Sequence, residues 1–381
     1  MTGRSRLSLI AVCWSLIVGL EVSHAEEFAM RGVAWPEADQ LFRRDTRWRG
    51  SDAANSIDLG EGRVLWTFGD SFVDNNPVAS QRQRKTARFI RNSIAIQRGY
   101  DPTSAEFLSY WQENREGVPT AFFRSEGEVF LWPGGGVLLD DKLLIYLVRV
   151  RNAAEARLGF AVEGWEAVLI HNAQDDPSDW EMEFVSTPQN SMGVMVGSGS
   201  SLRQGDWVYS FGSDNSRRHN LFLTRIRVAD AMVGDFADLE WFNGSEEAWL
   251  KQAQIDARPP LPLVRDGQTE FTVHYEVKLD SFLLTQFQSF PRSPIIVREA
   301  QQLTGPWSNG QTVFVPEEAT PSREDVMLYA SKAHPEQTTE GLAVTYCTNA
   351  VRPADLLTSE ELYYPRFVRF TFETQAESSA N

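Results

Sequence analysis

Residues 51–70, SDAANSIDLGEGRVLWTFGD, contain the pattern that decides the fold. A polar segment leads into the turn at residues 60–62, which holds two glycines, and the apolar, aromatic run Arg63–Phe68 follows. Runs rich in β-branched and aromatic residues on either side of a glycine turn are typical of a β-hairpin. The stretch therefore predicts two antiparallel strands joined by a tight turn.

The same hairpin pattern recurs along the chain. Its apolar second strands are predicted at Arg63–Phe68, Lys142–Val148, Asp206–Phe211, Ser281–Gln286 and Gly341–Tyr346. Its more polar first strands are predicted at Ser51–Leu59, Gly135–Leu139, Gly197–Leu202, Glu270–Val277 and Val326–Ala333. Outer strands are predicted at Phe160–Trp165, Ala167–Ile170, Leu221–Ile226, Ile295–Arg298 and Tyr364–Phe370.

These repeats predict an all-β, five-bladed β-propeller. Five units of up to four strands, with equivalent positions 60 to 79 residues apart, match the sequence pattern of that architecture. Two packed sheets of a β-sandwich are the alternative, although sandwiches favour short turn spacings without such a longer period. With no linker between the units, residues 26–374 are predicted to form a single domain, followed by a disordered polar tail at 375–381.

The N-terminal segment has the pattern of a secretory signal peptide. Arg4 and Arg6 precede the apolar run Leu7–Leu20, and Ser23 and Ala25 are small residues at the positions that a signal peptidase requires. Cleavage after residue 25 is predicted, and with it a secreted or periplasmic location without membrane contact afterwards. An uncleaved anchor is the alternative, although the apolar run is short for a membrane span.

The net charge limits which molecules the protein can bind, and the cysteine content limits how its fold can be stabilised. The formal net charge of −16 disfavours binding to phosphate backbones, so nucleic acid is excluded as a predicted partner. Of the two cysteines, Cys13 lies in the signal segment, so Cys347 is left without an internal disulfide partner. Twelve Trp and 23 Phe suit a β-rich core and, at its mouth, platforms for sugar stacking. We predict a monomer.

Several short motifs resemble a known family when they are taken in order. They are Ser51–Ser56, Gly62–Ser71, Arg91–Ala95, Trp132–Val137, Thr304–Ser308, Ala333–Glu336, Thr345–Asn349 and Tyr364–Val368. Their order and spacing resemble the bacterial secreted propellers labelled domain of unknown function 4185, and the sister group 5005, over about residues 30–372. The family usually shows Gly-Asp-Thr where this chain has a serine at position 71. The resemblance implies a five-bladed propeller, and some members of the wider group cleave arabinofuranose linkages.

Four residues are predicted to be catalytic. Glycosidases need two carboxyl groups beside the scissile bond, one acting as acid and the other as base or nucleophile. Asp52 is the predicted base, partly hydrated and ionised near its ordinary pKa, and a turn cap is its alternative. Glu270, beside Phe271, is the predicted acid with a raised pKa, unless it is a solvated strand end. Asp70 (a second acid or an Asx-turn) and His334 (or a structural histidine) are predicted to tune the pair.

Further residues are predicted to bind the substrate, and no metal site is predicted. The substrate-binding residues are Arg91, Asn92, Trp132, Tyr275 and Asn349. The alternatives are that Trp132 packs in the core and that the side chains at 91 and 92 close the first unit by hydrogen bonding. The histidines show no metal-ligand spacing, so no cofactor is predicted. A calcium ion in a central channel is the alternative.

Two functions fit these observations. The first is a secreted glycoside hydrolase that acts on a furanose-containing or related polysaccharide or oligosaccharide through paired carboxylates in a central funnel. The alternative is a non-catalytic propeller that binds glycan or protein in the same funnel. Carboxyl groups that converge in a cleft favour the enzyme.

Overall fold

Antiparallel β-strands are the main regular secondary structure in the part of the chain that the structure describes. The computed structural model describes residues 29–75, 84–244, 248–337 and 340–373, so the predicted signal peptide and polar tail lie outside the described residues. The α-helices in these ranges have four residues each: α1 (Pro36–Asp39), α2 (Val228–Ala231) and α3 (Pro353–Leu356). None of the described helices has the length and apolar character needed to cross a membrane.

The strands are numbered in chain order. The first ten are β1 (Ala29–Ala34), β2 (Trp48–Ser51), β3 (Asn55–Gly60), β4 (Arg63–Phe68), β5 (Ser71–Val73), β6 (Arg88–Ile90), β7 (Ser93–Arg98), β8 (Glu106–Tyr110), β9 (Gln112–Glu113) and β10 (Pro119–Thr120). The next ten are β11 (Val129–Leu139), β12 (Lys142–Asn152), β13 (Phe160–Ile170), β14 (Met182–Val185), β15 (Val194–Met195), β16 (Ser201–Gln204), β17 (Trp207–Asp214), β18 (Leu221–Arg227), β19 (Glu240–Asn243) and β20 (Ala248–Lys251). The last are β21 (Thr272–Glu276), β22 (Ser281–Phe287), β23 (Ile295–Ala300), β24 (Gln311–Phe314), β25 (Val326–His334), β26 (Leu342–Ala350) and β27 (Arg366–Glu373).

Five large sheets contain most of these strands. Sheet 1 has the order β3-β4-β7-β8, sheet 2 the order β11-β12-β13-β14, and sheet 4 the order β21-β22-β23-β24. Sheet 3 contains β15 to β20, with β15 and β16 both paired to β17. Sheet 5 has the order β25-β26-β27-β1, so the last strands of the chain share a sheet with the first. Two small sheets complete the set: β2-β5-β6, formed by strands before β3 and between β4 and β7, and β9-β10, which lies between sheets 1 and 2 in the chain.

The predicted hairpins are confirmed, but several bounds differ; the predicted strand Glu270–Val277, for example, is β21 (Thr272–Glu276), so Glu270 lies before the strand. Each predicted apolar second strand lies in β4, β12, β17, β22 or β26 and pairs antiparallel with a strand before it. The first strand of sheet 1 begins at Asn55 rather than Ser51, because Ala53 and Ala54 have left-handed φ values of 70° and 45°. The predicted strand Gly197–Leu202 is interrupted, and only β16 follows the break. The two predicted strands at 160–170 are one continuous strand.

Glycines allow the first strands of sheets 2 and 3 to approach closely. A Cβ atom on Gly134 or Gly135 would overlap the carbonyl oxygen of Gly197 or Gly199, respectively. The amide of Gly135 donates to the oxygen of Gly197 at 2.7 Å. The triple glycine after Trp132 therefore permits backbone contact between sheets, because only glycine leaves that space free.

Hydrogen bonds link the first strand of each sheet to that of the next, with the segment between β15 and β16 supplying the partners in sheet 3. From sheet 1 to sheet 5 they are Asn55 Nδ2 to Pro133 O (3.1 Å), Gly135 N to Gly197 O (2.7 Å), Val273 N to Ser200 Oγ (2.7 Å) and Ala333 N to Thr272 Oγ1 (2.7 Å). Sheet 5 returns to sheet 1 through Lys332 Nζ, which donates to Asn55 Oδ1 at 2.5 Å. The contacts therefore close on themselves.

Apolar clusters fill the space between consecutive sheets. Residues that share one cluster are Leu65 and Leu147 for sheets 1 and 2, Tyr146 and Trp241 for sheets 2 and 3, and Phe211 and Leu284 for sheets 3 and 4. The rings of Phe287 and Tyr346 meet between sheets 4 and 5, and those of Trp66 and Phe367 between sheets 5 and 1. Each buried aromatic or aliphatic side chain contributes about 1.5–3 kcal/mol to stability. The core therefore holds the strand ends that carry the site in fixed positions.

Candidate active site

Three carboxyl groups lie at corresponding ends of sheets 1 and 4. Asp52 precedes β3, Asp70 follows β4, and Glu270 precedes β21. The amide of Gly69 donates to the carbonyl oxygen of Asp52 at 3.2 Å, which ties the two ends of the first hairpin together. The charge of Glu270 acts on Asp52 strongly enough to raise its pKa, so sheets 1 and 4 bring their carboxyl groups into one electrostatic cluster.

The backbone around Asp52 is strained. Ala53 and Ala54 adopt left-handed conformations that cost non-glycine residues about 1–3 kcal/mol each. Gly69 opposite has no Cβ, and one added there would overlap Oδ1 of Asp52. Such conformations persist where surrounding contacts over-determine them, which is typical of functional sites. The strained backbone therefore indicates that surrounding contacts fix the position of Asp52.

Two tyrosine hydroxyls hold the Asp52 carboxyl group. Tyr329 donates to its Oδ2 at 2.6 Å, and Tyr363 lies 3.3 Å from the same atom. The hydroxyl of Tyr363 also lies 3.0 Å from the carbonyl oxygen of Asp70. Asn349 Nδ2 donates to the hydroxyl of Tyr329 at 2.9 Å, so this predicted substrate-binding residue belongs to the cluster.

A buried arginine fixes the segment that carries Tyr363. The Arg84 side chain donates to the carbonyl oxygens of Arg49 (2.7 Å), Leu356 (3.1 Å) and Ser359 (2.5 Å), and also to that of Leu362. Tyr363 itself has a left-handed φ of 64°. Because residue 362 precedes this tyrosine directly, the guanidinium positions the donor to Asp52.

The protonation predicted for Asp52 is wrong. Burial raises its pKa to about 8, and the charges of Glu270 and Asp70 add to that rise against the two tyrosine hydrogen bonds. The sequence placed small residues around Asp52 and suggested partial hydration; the residue is partly exposed, yet the desolvation of its carboxyl group within the fold outweighs the two tyrosine hydrogen bonds. Asp52 is therefore mostly protonated in the free protein at neutral pH.

Asp70 has partners that favour its charge. Trp132 Nε1 donates to its Oδ1 at 3.1 Å, and Arg91 lies 3.3 Å from its Oδ2. Burial nonetheless raises its pKa to about 6, because it outweighs these contacts. Asp70 is therefore mostly ionised at neutral pH, and its side chain faces Arg91 and Trp132, two of the predicted substrate-binding residues.

Glu270 lies beside a buried ammonium group. Lys332 Nζ is 3.9 Å from its Oε1, and the lysine side chain is 1% exposed while that of Glu270 is 28% exposed. Burial raises the pKa of Glu270 against the charge of the lysine, as the flanking phenylalanine led us to expect, and burial lowers the pKa of Lys332. The third carboxyl group thus shares its surroundings with a cation.

Three predicted site residues lie elsewhere. His334 is fully buried between sheets 5 and 1, where Nδ1 lies 2.6 Å from Ser56 Oγ and Nε2 lies 2.8 Å from Thr345 Oγ1. Burial lowers its pKa to about 3, so it is a neutral core histidine and not a proton shuttle. Asn92 is also fully buried and bonds the backbone of Phe123. Tyr275, at the hairpin end of β21, donates to Asp280, away from Glu270.

Sequence reasoning missed Tyr329, Lys332 and Tyr363. Lys332 was the most detectable, because a lysine between small residues inside a predicted inner strand is costly to bury without a partner. The tyrosines gave no such signal, since phenols are common in β-rich cores. Among the described residues, no group of three His, Cys, Asp or Glu side chains is arranged to hold a metal ion.

The sequence matches one family over most of its length. The family model described as Domain of unknown function (DUF5005) matches residues 37–372. The chain belongs to this family. The match includes all three carboxyl residues and every motif quoted above, so it confirms the resemblance to the 5005 group, while the 4185 label is not shown. No curated protein matches the sequence.

Solved structures resemble this DUF5005 protein in fold. A protein from Bacteroides ovatus ATCC 8483, described as a candidate hydrolase, is 17% identical with a TM-score of 0.68, and the match covers 92% of each chain. An exo-β-1,3-galactanase from Phanerochaete chrysosporium, solved with β-1,3-galactotriose, is 11% identical with a TM-score of 0.49 over 92% of this chain and 65% of that one. An α-L-arabinofuranosidase from Lactobacillus brevis is 13% identical with a TM-score of 0.46 over 88% and 93%. Of these three, the Bacteroides structure shows a shared fold.

Proposed function

We propose that this chain is a glycoside hydrolase built on a five-bladed β-propeller, with its reaction centred on Asp52, Asp70 and Glu270. The observation that carries the proposal is the difference between the pKa values of two neighbouring carboxyl groups. A protonated Asp52 and an ionised Asp70 supply the acid and the base that glycoside hydrolysis requires at one pH. Their environments therefore suit opposite roles.

The closed order of contacts supports the propeller. Five sheets of four or more strands touch through their first strands, and the last returns to the first through Lys332 and Asn55. Sheet 5 combines strands from both ends of the chain, which joins the ring without an exposed seam between them. We infer that each sheet is a blade, that residues 26–374 are one domain, and that the carboxyl groups face the central axis.

In the proposed reaction Asp52 donates its proton to the glycosidic oxygen as the bond to the leaving sugar breaks. Asp70 takes a proton from the attacking water, and the water oxygen bonds to the anomeric carbon. Burial first, and then the charge of ionised Glu270, raise the pKa of Asp52 and so favour its acid form, and Lys332 lies beside Glu270. This assignment reverses the role of Asp52 predicted from the sequence, because its carboxyl group is desolvated.

The substrate we propose is a furanose-containing or related polysaccharide. Two side chains contact Asp70: the aromatic Trp132 and the cationic Arg91. Trp132 can stack on a sugar ring, and Arg91 can donate hydrogen bonds to sugar hydroxyl groups. Because some members of the wider group that the chain resembles cleave arabinofuranose linkages, we propose arabinose-containing polymers in particular.

We also propose that the protein is exported, with a signal peptide at 1–25 and a mature chain that begins at Glu26. If mass spectrometry of the secreted protein finds residues 7–20 retained, the segment is an anchor instead.

A hydrolysis screen tests the proposed function. Residues 26–381 are incubated with arabinan, arabinogalactan, arabinoxylan and xylan, and reducing ends are measured. We expect release from at least one polymer and a loss of about 10²–10⁴-fold in kcat for Asp52→Asn and Asp70→Asn. The Tm of Asp52→Asn should not fall, because a neutral amide suits a site that already disfavours charge. No release by the wild-type chain, or full activity in both variants, contradicts the proposal.

A further inference from the structure

A cavity adjoins the carboxyl cluster and has no role in the proposed reaction. Its volume is about 600 Å³, and its lining includes Arg91, Ser125, Glu128, Phe130, Asn152 and Ala154. Small-molecule sites generally have volumes of about 300–1,000 Å³. The space is therefore adequate for part of a carbohydrate chain.

Arg91 forms the wall between the cavity and Asp70. One of its terminal nitrogens lies 3.3 Å from Oδ2 of Asp70, and the other donates to Asn152 Oδ1 at 2.8 Å. The guanidinium stacks over the ring of Phe130, 4.0 Å from its centroid. A ligand in the cavity would therefore touch the same arginine that pairs with the ionised carboxylate.

The lining also fits one chemical class of ligand. Asn152, Ser125 and Glu128 offer donors and acceptors, and Phe130 adds an apolar ring. The single cation, Arg91, is already paired with Asp70, and Glu128 would repel an anionic sugar. The balance of charges favours a neutral ligand that carries many hydroxyl groups.

We propose that this cavity is a subsite for a neutral sugar residue of a glycan chain that extends past the cleavage point. The proposal rests on the proposed function and deepens it, because it assigns a preference for polymers over single glycosides. A sugar residue in the subsite adds contacts with Asn152 and Glu128 that a short substrate lacks. Binding energy from such remote contacts holds the reacting bond at the carboxyl groups.

Filling the cavity tests this inference. Ala154 lines it and is solvent-exposed, so Ala154→Trp should occupy the space without disturbing the core. Ala237→Trp, on an exposed loop of sheet 3, is the matched control. Binding of arabinan, arabinogalactan, arabinoxylan and xylan is measured by affinity electrophoresis with both substitutions in the Asp52→Asn background. We expect Ala154→Trp to raise the Kd for the bound polymer by at least about tenfold, and the control to leave it unchanged.

Hydrolysis by the otherwise wild-type chain separates this inference from the proposed function. We expect Ala154→Trp to reduce kcat/KM on the polymer by about tenfold and to leave kcat/KM on p-nitrophenyl α-L-arabinofuranoside unchanged. Equal Kd values for Ala154→Trp and Ala237→Trp, or no binding of any of the four polymers, overturn the subsite. Polymer binding that Ala154→Trp weakens, without hydrolysis by the wild-type chain, supports the subsite and contradicts the proposed function.

Discussion

The hydroxyl of Tyr329 donates a hydrogen bond of 2.6 Å to Oδ2 of Asp52, although the two residues are 277 positions apart in the chain. Tyr329 lies on β25 of sheet 5, and Asp52 lies just before β3 of sheet 1. The bond favours the ionised carboxylate, yet burial and two neighbouring acids outweigh it. The protonation of Asp52 therefore depends on contacts that can be removed singly.

Replacing Tyr329 by phenylalanine should move the alkaline limb of the kcat/KM pH profile. Loss of a donor to the carboxylate raises the pKa of Asp52 further, so the acid stays protonated to higher pH. We expect the alkaline limb of the kcat/KM profile to shift upward and kcat to fall, because the carboxyl group loses an orienting contact. Tyr275→Phe, which removes a hydroxyl bonded to Asp280 instead, should leave the profile where it is.

Neutralising Glu270 should shift the same limb in the opposite direction. Glu270→Gln removes a negative charge that raises the pKa of Asp52, so Asp52 loses its proton at lower pH. We expect the alkaline limb to move downward while activity persists on its acid side. Glu276→Gln, at the hairpin end of the same strand, is the matched control. Abolished activity at every pH in Glu270→Gln would instead make Glu270 a direct participant in the reaction.

Arg84 should act on the reaction only through Tyr363. Arg84→Gln leaves buried carbonyl oxygens without donors, which costs about 1–3 kcal/mol of stability for each unsatisfied group. We expect a lower Tm and a lower kcat with little change in KM. In a double-mutant cycle with Tyr363→Phe, the effects on kcat should be less than additive, because both changes disturb one donor. Fully additive effects would contradict a positioning role.

His334 should influence stability and leave the catalytic pH profile alone. Its pKa is lowered to about 3 in the folded chain, against about 6.5 in the unfolded chain, so the unfolded state binds more protons between these values. The contribution of His334 to stability is therefore present above pH 6.5 and is lost as the pH falls. In His334→Gln, Tm should depend less steeply on pH between 4 and 6.5 than in the wild-type chain. If a limb of the kcat/KM pH profile shifts in His334→Gln, His334 takes part in the site after all.

The sequence predicted the hairpins because each strand pair is specified locally. Arg63–Phe68 and its glycine turn are adjacent in the chain, so alternation and turn chemistry suffice to predict them. The kink at Ala53 and Ala54 was missed because alanine gives no sign of a left-handed backbone. The kink follows Asp52 directly, and the carboxyl group of Asp52 accepts hydrogen bonds from tyrosines far along the chain.

The site was only partly predictable for the same reason. Asp52, Asp70, Arg91, Trp132, Glu270 and Asn349 were identified because they stand at strand ends or in motifs with a recognisable spacing. The raised pKa of Asp52 depends on burial and on the charge of Glu270 from sheet 4, and both arise only after the sheets pack. His334 and Asn92 looked like site residues for their chemistry, and burial decided otherwise.

The pH dependence of kcat/KM for wild-type residues 26–381, on the polysaccharide that they hydrolyse, tests the central claim most directly. The free protein is expected to be active when Asp70 is ionised and Asp52 is protonated, which gives a bell-shaped profile whose limbs reflect the coupled cluster. We expect the acid limb near the pKa of Asp70, about 6, and the alkaline limb near that of Asp52, about 8. An optimum below pH 5, with activity already lost at neutral pH, would contradict the claim that Asp52 supplies the proton.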